Sequence, residues 1–456
     1  MKVCKFGGTS VASAAQIKKV VNIIKSDPLR KIIVVSAPGK RFSDDEKVTD
    51  LLIALANEAL AGNDPSIPLE NVLLRYRLIA DELELGGSIL GVIEADLKKR
   101  LTTNQADETL FIDTIKAAGE DNNAKLIAAY FNHIGMPAAY ACPKEAGLLV
   151  NERPERVHAL PEGYEKMEKL KDTEKLIVFP GFFGYTKSGT LRTFNRGGSD
   201  ITGSLVAAAV RADLYENFTD VDSVYSANPN VVENPAAIDK MTYREMRELA
   251  YAGFSVFHDE ALMPAFLRAV PVCIKNTNNP EAPGTMIVQH RDNAKQPVIG
   301  IAADSGFSTL FVEKYLMNQE IGFGRRLLRI LEDEEVSFEH TPSGIDNISV
   351  IIRNEYLTDE KRLTIVKRIQ DELHADDVHF RDTDYSMIVL VGEGMRHTKG
   401  LTARAATAIA KTDTNIEMIN QGSSEVSLVF GIDKKDEDKV LKALYKEFFQ
   451  EVNLFV

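Results

Sequence analysis

Residues 5–10 read Lys-Phe-Gly-Gly-Thr-Ser, an amine followed by a glycine pair and two hydroxyls. Two glycines let the backbone approach a phosphate closely, and the start of a following helix favours an anion. Lys5 is placed to reach phosphoryl oxygens, and Ser10 is expected to cap the helix. A second glycine pair stands in Arg196-Gly197-Gly198-Ser199-Asp200. Arg196 offers a planar fork to a carboxylate. Asp200 is placed to order Lys5 or a magnesium ion. A third segment, residues 217–228, reads Asn-Phe-Thr-Asp-Val-Asp-Ser-Val-Tyr-Ser-Ala-Asn, a strand end and polar loop suited to a base and ribose. Taken singly, each has a plainer reading: a corner that binds nothing, a capped helix with a surface arginine, an Asx-rich turn. The first is not a Walker A loop, because Gly-x-x-x-x-Gly-Lys-[Ser/Thr] is absent. Two anion-ready turns in one chain favour a site for two anions.

Such turns must sit at strand ends. Short apolar runs at 3–6, 32–36, 176–183 and 272–275 predict buried strands. Helical patterns at 11–25, 45–61, 205–212 and 243–251 alternate with them. The expected class is α/β, a mostly parallel sheet sandwiched by helices. A polar linker is expected at 289–296, and beyond it two segments look alike. The first predicts strand 308–314, helix 324–332, strands 336–340 and 348–353, helix 359–373 and a last strand at 378–381. The second predicts strand 386–391, helix 401–411, strands 416–419 and 426–430, helix 435–449 and a last strand at 452–456. Each is a βαββα unit of the ferredoxin-like α+β kind. An extra strand at 298–302 is open to pairing with either unit. The expected domains are therefore 1–290, 297–382 and 383–456.

Composition removes several function classes. The 456 residues carry 54 basic and 67 acidic side chains, a net charge of −13, with no dense basic stripe for nucleic acid. No run approaches the ~20 apolar residues of a membrane span. The N-terminus has no apolar leader, and Cys4, Cys142 and Cys273 stand far apart, which suits a reducing cytoplasm. The 8 histidines are scattered, against a metal-binding protein.

The segments 5–12 (Lys-Phe-Gly-Gly-Thr-Ser-Val-Ala), 196–200 and 219–225 (Thr-Asp-Val-Asp-Ser-Val-Tyr) together resemble the aspartokinases of the amino-acid kinase family. Val35-Ser36-Ala37, Val48-Thr49-Asp50-Leu51 and Gly119-Glu120 match in the same order. The paired C-terminal units resemble that family's ACT domains. The resemblance implies that Lys5 and Asp200 are catalytic, and that Lys5, Phe6, Gly7, Gly8, Ser36, Thr219, Asp220 and Tyr225 hold ATP, used with Mg²⁺. It implies that Thr49, Glu120, Phe182, Arg196 and Ser199 bind L-aspartate, with Glu120 on its ammonium and Arg196 on its α-carboxylate. Met317, Phe323, Glu339, Ser343 and Asp346 fall where it places an effector pocket. Lysine is the preferred effector, threonine the second. A homodimer through the ACT domains is expected, or a tetramer built from it. Three departures stand out: Asn195 where many relatives have glycine, Asn230 where an arginine is usual, and Ser255 where a lysine is common. The alternatives are a glutamate or carbamate kinase of the same fold and a catalytically silent amino-acid sensor.

Overall fold

The computed structural model describes residues 1–153, 157–195, 197–254, 259–292, 296–381, 384–422 and 426–450. Arg196, Ser255 and the strand expected at 452–456 lie outside the described residues. The chain forms two compact units. The first is Met1–Val224, Ala237–Arg247 and Ser255–Arg291; the second is Tyr225–Ala236, Glu248–Phe254 and Asp292–Val456.

In the first unit the strands are β1 (Lys2–Phe6), β2 (Arg30–Val35), β3 (Ala138–Tyr140), β4 (Leu176–Pro180), β5 (Phe183–Tyr185), β6 (Leu191–Thr193), β7 (Leu214–Thr219), β8 (Lys240–Thr242), β9 (Val272–Asn276) and β10 (Thr285–Val288). Eight described strands make one sheet in the order β3-β4-β2-β1-β7-β9-β10-β8. Its pairs are parallel except β9 with β10. The helices that matter for the site are α1 (Ala14–Lys25), α2 (Val48–Leu60), α3 (Ser66–Glu82), α4 (Ser88–Leu101), α5 (Glu108–Lys116) and α6 (Ala118–His133).

The central strands are mostly apolar because helices cover both faces. In β1 and β2, Val3, Phe6, Ile32, Ile33, Val34 and Val35 are fully buried. In α1, Ile17, Val20, Val21 and Ile24 face inward at helical spacing, while Lys18, Lys19 and Lys25 face out. The helix starts later than expected. Residues Gly8–Val11 form a 3-10 turn, and Ser13, not Ser10, caps α1 by accepting from the Gln16 N–H. Ser10 Oγ instead meets Thr277 Oγ1 at 2.7 Å. The single strand expected at 176–183 breaks at Phe182, whose φ is +77°, and resumes as β5 paired with β6. The helix expected at 205–212 begins earlier, at Gly198, and runs to Val210.

Arg30 and Glu216, on β2 and β7, are a buried ion pair under the sheet. Arg30 Nε and Nη2 donate to the Glu216 oxygens at 2.6 and 3.0 Å. Arg291, in the segment expected as a free polar linker, donates from Nε to buried Glu245 at 2.8 Å, so this end of the linker is anchored.

The second unit is antiparallel: β11 (Gly300–Glu313), β12 (Asn347–Arg353), β13 (Asp377–Phe380), β14 (Tyr385–Val391), β15 (Met418–Asn420) and β16 (Ser427–Asp433). The strands expected at 298–302 and 308–314 are one continuous strand. Its first half pairs with β14, its second half with β12 and β13. Helices Phe323–Asp333 and Asp359–Leu373 complete one ferredoxin-like ACT module, and Leu401–Ala410 and Glu437–Tyr445 the other. No strand forms at 336–340; His340 alone bridges to Ile351. Val336 is buried in the core while Phe338 is exposed, so the segment packs one residue without extending the ladder.

Removing one partner of a buried pair strands the other charge. Arg30→Met should cost ~3–5 kcal/mol in urea unfolding, and Arg30→Met/Glu216→Met should recover most of it.

Candidate active site

The register places Phe6 beside Val35 on one side and Phe218 on the other, so β1, β2 and β7 release their chains at one edge of the sheet. The neighbours of β1 lie on opposite sides of it, which makes this edge the switch point where open α/β sheets bind ligands. The Gly7 N–H donates to Phe218 O at 3.1 Å, and the Ser36 N–H to Phe6 O at 3.2 Å. The Phe6 ring is fully buried and stacked on Phe218, leaving its backbone as the part near a ligand.

The glycine turn is pressed against a second loop. The Gly39 N–H donates to Gly8 O at 2.9 Å. A Cβ on Gly39 would lie 2.6 Å from the Gly8 carbonyl carbon, and one on Gly8 would lie 3.1 Å from Ala37 O. Only glycine allows this approach.

Lys5, buried at the end of β1, reaches Asp200 Oδ1 at 2.6 Å. Asn217 Nδ2 donates to the same oxygen at 2.7 Å. Asp200 stands in the first turn of the helix Gly198–Val210, whose preceding Gly197 is left-handed at φ +59°. Gly181 and Gly198 let the β4 end pack on that turn: a Cβ on Gly181 would sit 2.5 Å from Ser199 Oγ, and one on Gly198 2.6 Å from the Phe182 ring. Phe182 and Ser199 are thereby neighbours. Arg196 lies outside the described residues.

A cavity of about 360 Å³ opens at this edge, lined by Gly7, Gly8, Ser36, Thr49, Glu120 and Thr219 among the expected residues. Thr49 comes from the first turn of α2 and Glu120 from the first turn of α6. Glu120 is 5% exposed, and its Oε2 is buried with no hydrogen-bond partner. Burial pushes its carboxyl up to about 8, with backbone N–H groups at Ala37 and Glu120 pulling the other way. Thr219 Oγ1 donates to exposed Asp220 at 3.2 Å. Tyr225 is half-buried and belongs to the second compact unit.

The same wall carries Gly39, Lys40 and Lys47, which the motifs did not single out. Gly39 in Pro-Gly-Lys after a strand was the available signal for a tight turn returning to the site.

The effector candidates are divided. Met317 and Phe323 are buried in the core of the first ACT module. Glu339 accepts from Arg353 Nε at 2.8 Å and from the Tyr251 hydroxyl. Asp346 Oδ1 accepts from the Leu316 N–H at 2.9 Å, and Ser343 is exposed and bridges to Ile348.

The chain belongs to the amino acid kinase family, whose model matches residues 1–276, and an ACT domain model matches residues 388–448. It is 55% identical to Aspartokinase 3 of Bacillus subtilis over 99% of both chains. It is 37% identical to the aspartate kinase of Clostridium acetobutylicum, whose crystal structure it matches with a TM-score of 0.86 over 98% of this chain and 100% of that one. Aspartokinase III of E. coli, solved with aspartate and ADP, shares the fold at 22% identity and a TM-score of 0.80, over 99% of this chain and 100% of that one. Within the family the chain stands with the aspartokinases. Among the described residues no helix is long and apolar enough to cross a membrane.

A carboxyl with a folded value near 8 and an unfolded value near 4.5 keeps its proton in the folded state between those limits. Stability conferred by Glu120 therefore falls as pH rises through that window. Without ligands, Glu120→Gln should be more stable than the parent at pH 8.5, by on the order of a few kcal/mol in urea unfolding. The gap should close near pH 4.5.

Proposed function

We propose that this enzyme transfers the γ-phosphate of ATP to the β-carboxylate of L-aspartate, giving 4-phospho-L-aspartate, the first step toward lysine, threonine and methionine. The observation that carries the reading is the buried Glu120 carboxyl, whose Oε2 has no hydrogen-bond partner, lining a cavity whose other wall is the Gly7-Gly8 turn. An α-ammonium supplies the donor that Oε2 lacks, and its positive charge favours the ionised carboxylate. In this reading Arg196 holds the α-carboxylate, and Thr49, Phe182 and Ser199 shape the pocket. The β-carboxylate has a reference pKa of ~3.9 and needs no base to become a nucleophile.

Transfer joins a β-carboxylate oxygen to the γ-phosphorus and breaks the bond to the bridging oxygen, which leaves on ADP. The chain's part is positioning and charge. Gly7 and Gly8 let backbone donors approach the phosphates, and Ser36 stands beside the transferring group. Lys5, oriented by Asp200, faces the charge that develops there. Thr219, Asp220 and Tyr225 hold the nucleoside. Among the described residues no three His, Cys, Asp or Glu side chains cluster for a metal. Asp200 would be the protein carboxylate to hold Mg²⁺, which would supply positive charge to offset that of the phosphates.

The ACT pair fits feedback by a pathway amino acid, lysine before threonine. Ile321 is 99% exposed, with Leu316 and Ile345 also exposed on the same module, which favours a homodimer through this face. Cys4, Cys142 and Cys273 are free thiols, in keeping with a cytoplasmic location.

With ATP, Mg²⁺ and hydroxylamine, hydroxamate should form with aspartate and not with glutamate. Product from glutamate alone would move the reading to a glutamate kinase, and none from either would favour the sensor. Lys5→Ala should lower kcat by about a hundredfold or more with the melting temperature kept. Arg196→Ala should chiefly raise the KM for aspartate; a rise in the KM for ATP instead would reverse the two subsites.

A further inference from the structure

The loop from Gly39 to Lys47 is fastened by buried groups although its tip is exposed. Arg75, buried on α3, donates to Gly39 O at 2.9 Å, Glu46 O at 2.7 Å and Asp45 Oδ2 at 3.0 Å. Asp45, also buried, takes Arg41 Nε and Nη2 at 2.8 Å each and the Arg41 N–H at 2.9 Å. These bonds hold its carboxyl well below the usual range. Both arginines are thus engaged by Asp45, and Arg75 also by two carbonyls, while Lys40 and Lys47 are the loop's cations that line the cavity.

Their positions are fixed by the site. Lys40 follows Gly39, whose backbone rests on Gly8. Lys47 precedes Val48, whose N–H donates to Pro38 O at 3.0 Å, and α2 begins there, two residues before Thr49 closes on the cavity. Lys40 and Lys47 are the cations among the described lining residues, and Glu120 is the acid. Lys5 is committed to Asp200 at 2.6 Å, so that pair adds no net charge toward a polyanion. The Lys40 ammonium donates only to the Ser43 carbonyl of its own loop at 3.1 Å, a bond a phosphate oxygen can replace.

We infer that Lys40 and Lys47 bind the nucleotide's phosphate chain, on a strap pre-set by Arg75 and Asp45. This rests on reading the cavity as the phosphoryl-transfer site.

The test titrates MgADP into the full chain by calorimetry at two salt concentrations, for the parent and for Lys40→Met/Lys47→Met. Both lysines are exposed, so the melting temperature should be kept. The Kd for MgADP should rise about tenfold or more, and its salt dependence should flatten. A rise of less than about threefold overturns the inference. The hydroxamate assay on the parent decides the aspartate reading separately, because the titration needs no acceptor.

Discussion

Gly8 and Gly39 touch through their backbones: a side chain on Gly39 would have to occupy the main chain of Gly8, and one on Gly8 would crowd Ala37 O and Gly39. That contact joins the end of β1 to the loop after β2, and the rest of the site follows from it. Once the loop is pinned to the glycine turn, α2 must start at the cavity, bringing Thr49 to its wall. The close packing of Gly119 on Ala37, where a Cβ would lie 2.8 Å from the Ala37 Cβ, brings the first turn of α6 and Glu120 to the same place. Steric exclusion fixes the geometry, and the polar groups then have defined distances in which to act.

The charges follow a consistent logic. Lys5 is paired with Asp200, Arg41 and Arg75 share Asp45, and burial favours the protonated form of Glu120. The buried cations of the cleft each have an acidic partner before any ligand enters, which limits the self-repulsion of a cationic cluster. Charge is supplied from the rim and by the ligands themselves. An acidic chain of net charge −13 can in this way hold a polyanion locally.

Local chemistry made much of this legible beforehand. Continuous apolar runs such as Ile32–Val35 pointed to buried parallel strands, and the glycine pairs marked the turns that follow them. What stayed hidden depends on contacts distant in the chain. Nothing near Ser10 says that its hydroxyl meets Thr277, so helix capping passed to Ser13. Nothing near Lys40 says that its loop returns to Gly8, or that Arg75, on an otherwise ordinary helix, is the clasp. Met317 and Phe323 were legible as apolar residues, yet only packing shows them inside the ACT core. At Phe182 a left-handed backbone in an aromatic residue overrode a strand pattern, because Thr202 Oγ1 accepts its N–H and the Gly198 turn packs on its ring.

The long strand β11 carries a consequence for how the second unit can be divided. At ~3.3 Å per residue its 14 residues extend about 45 Å, and each half belongs to a different module's ladder. The two ACT modules are therefore not beads on a string. A fragment beginning after Glu313 would leave β14 with an uncovered edge, ready to recruit a strand from another molecule, and so would one beginning in the gap between the modules. In this half of the chain, the smallest piece that can be lifted out intact contains both modules.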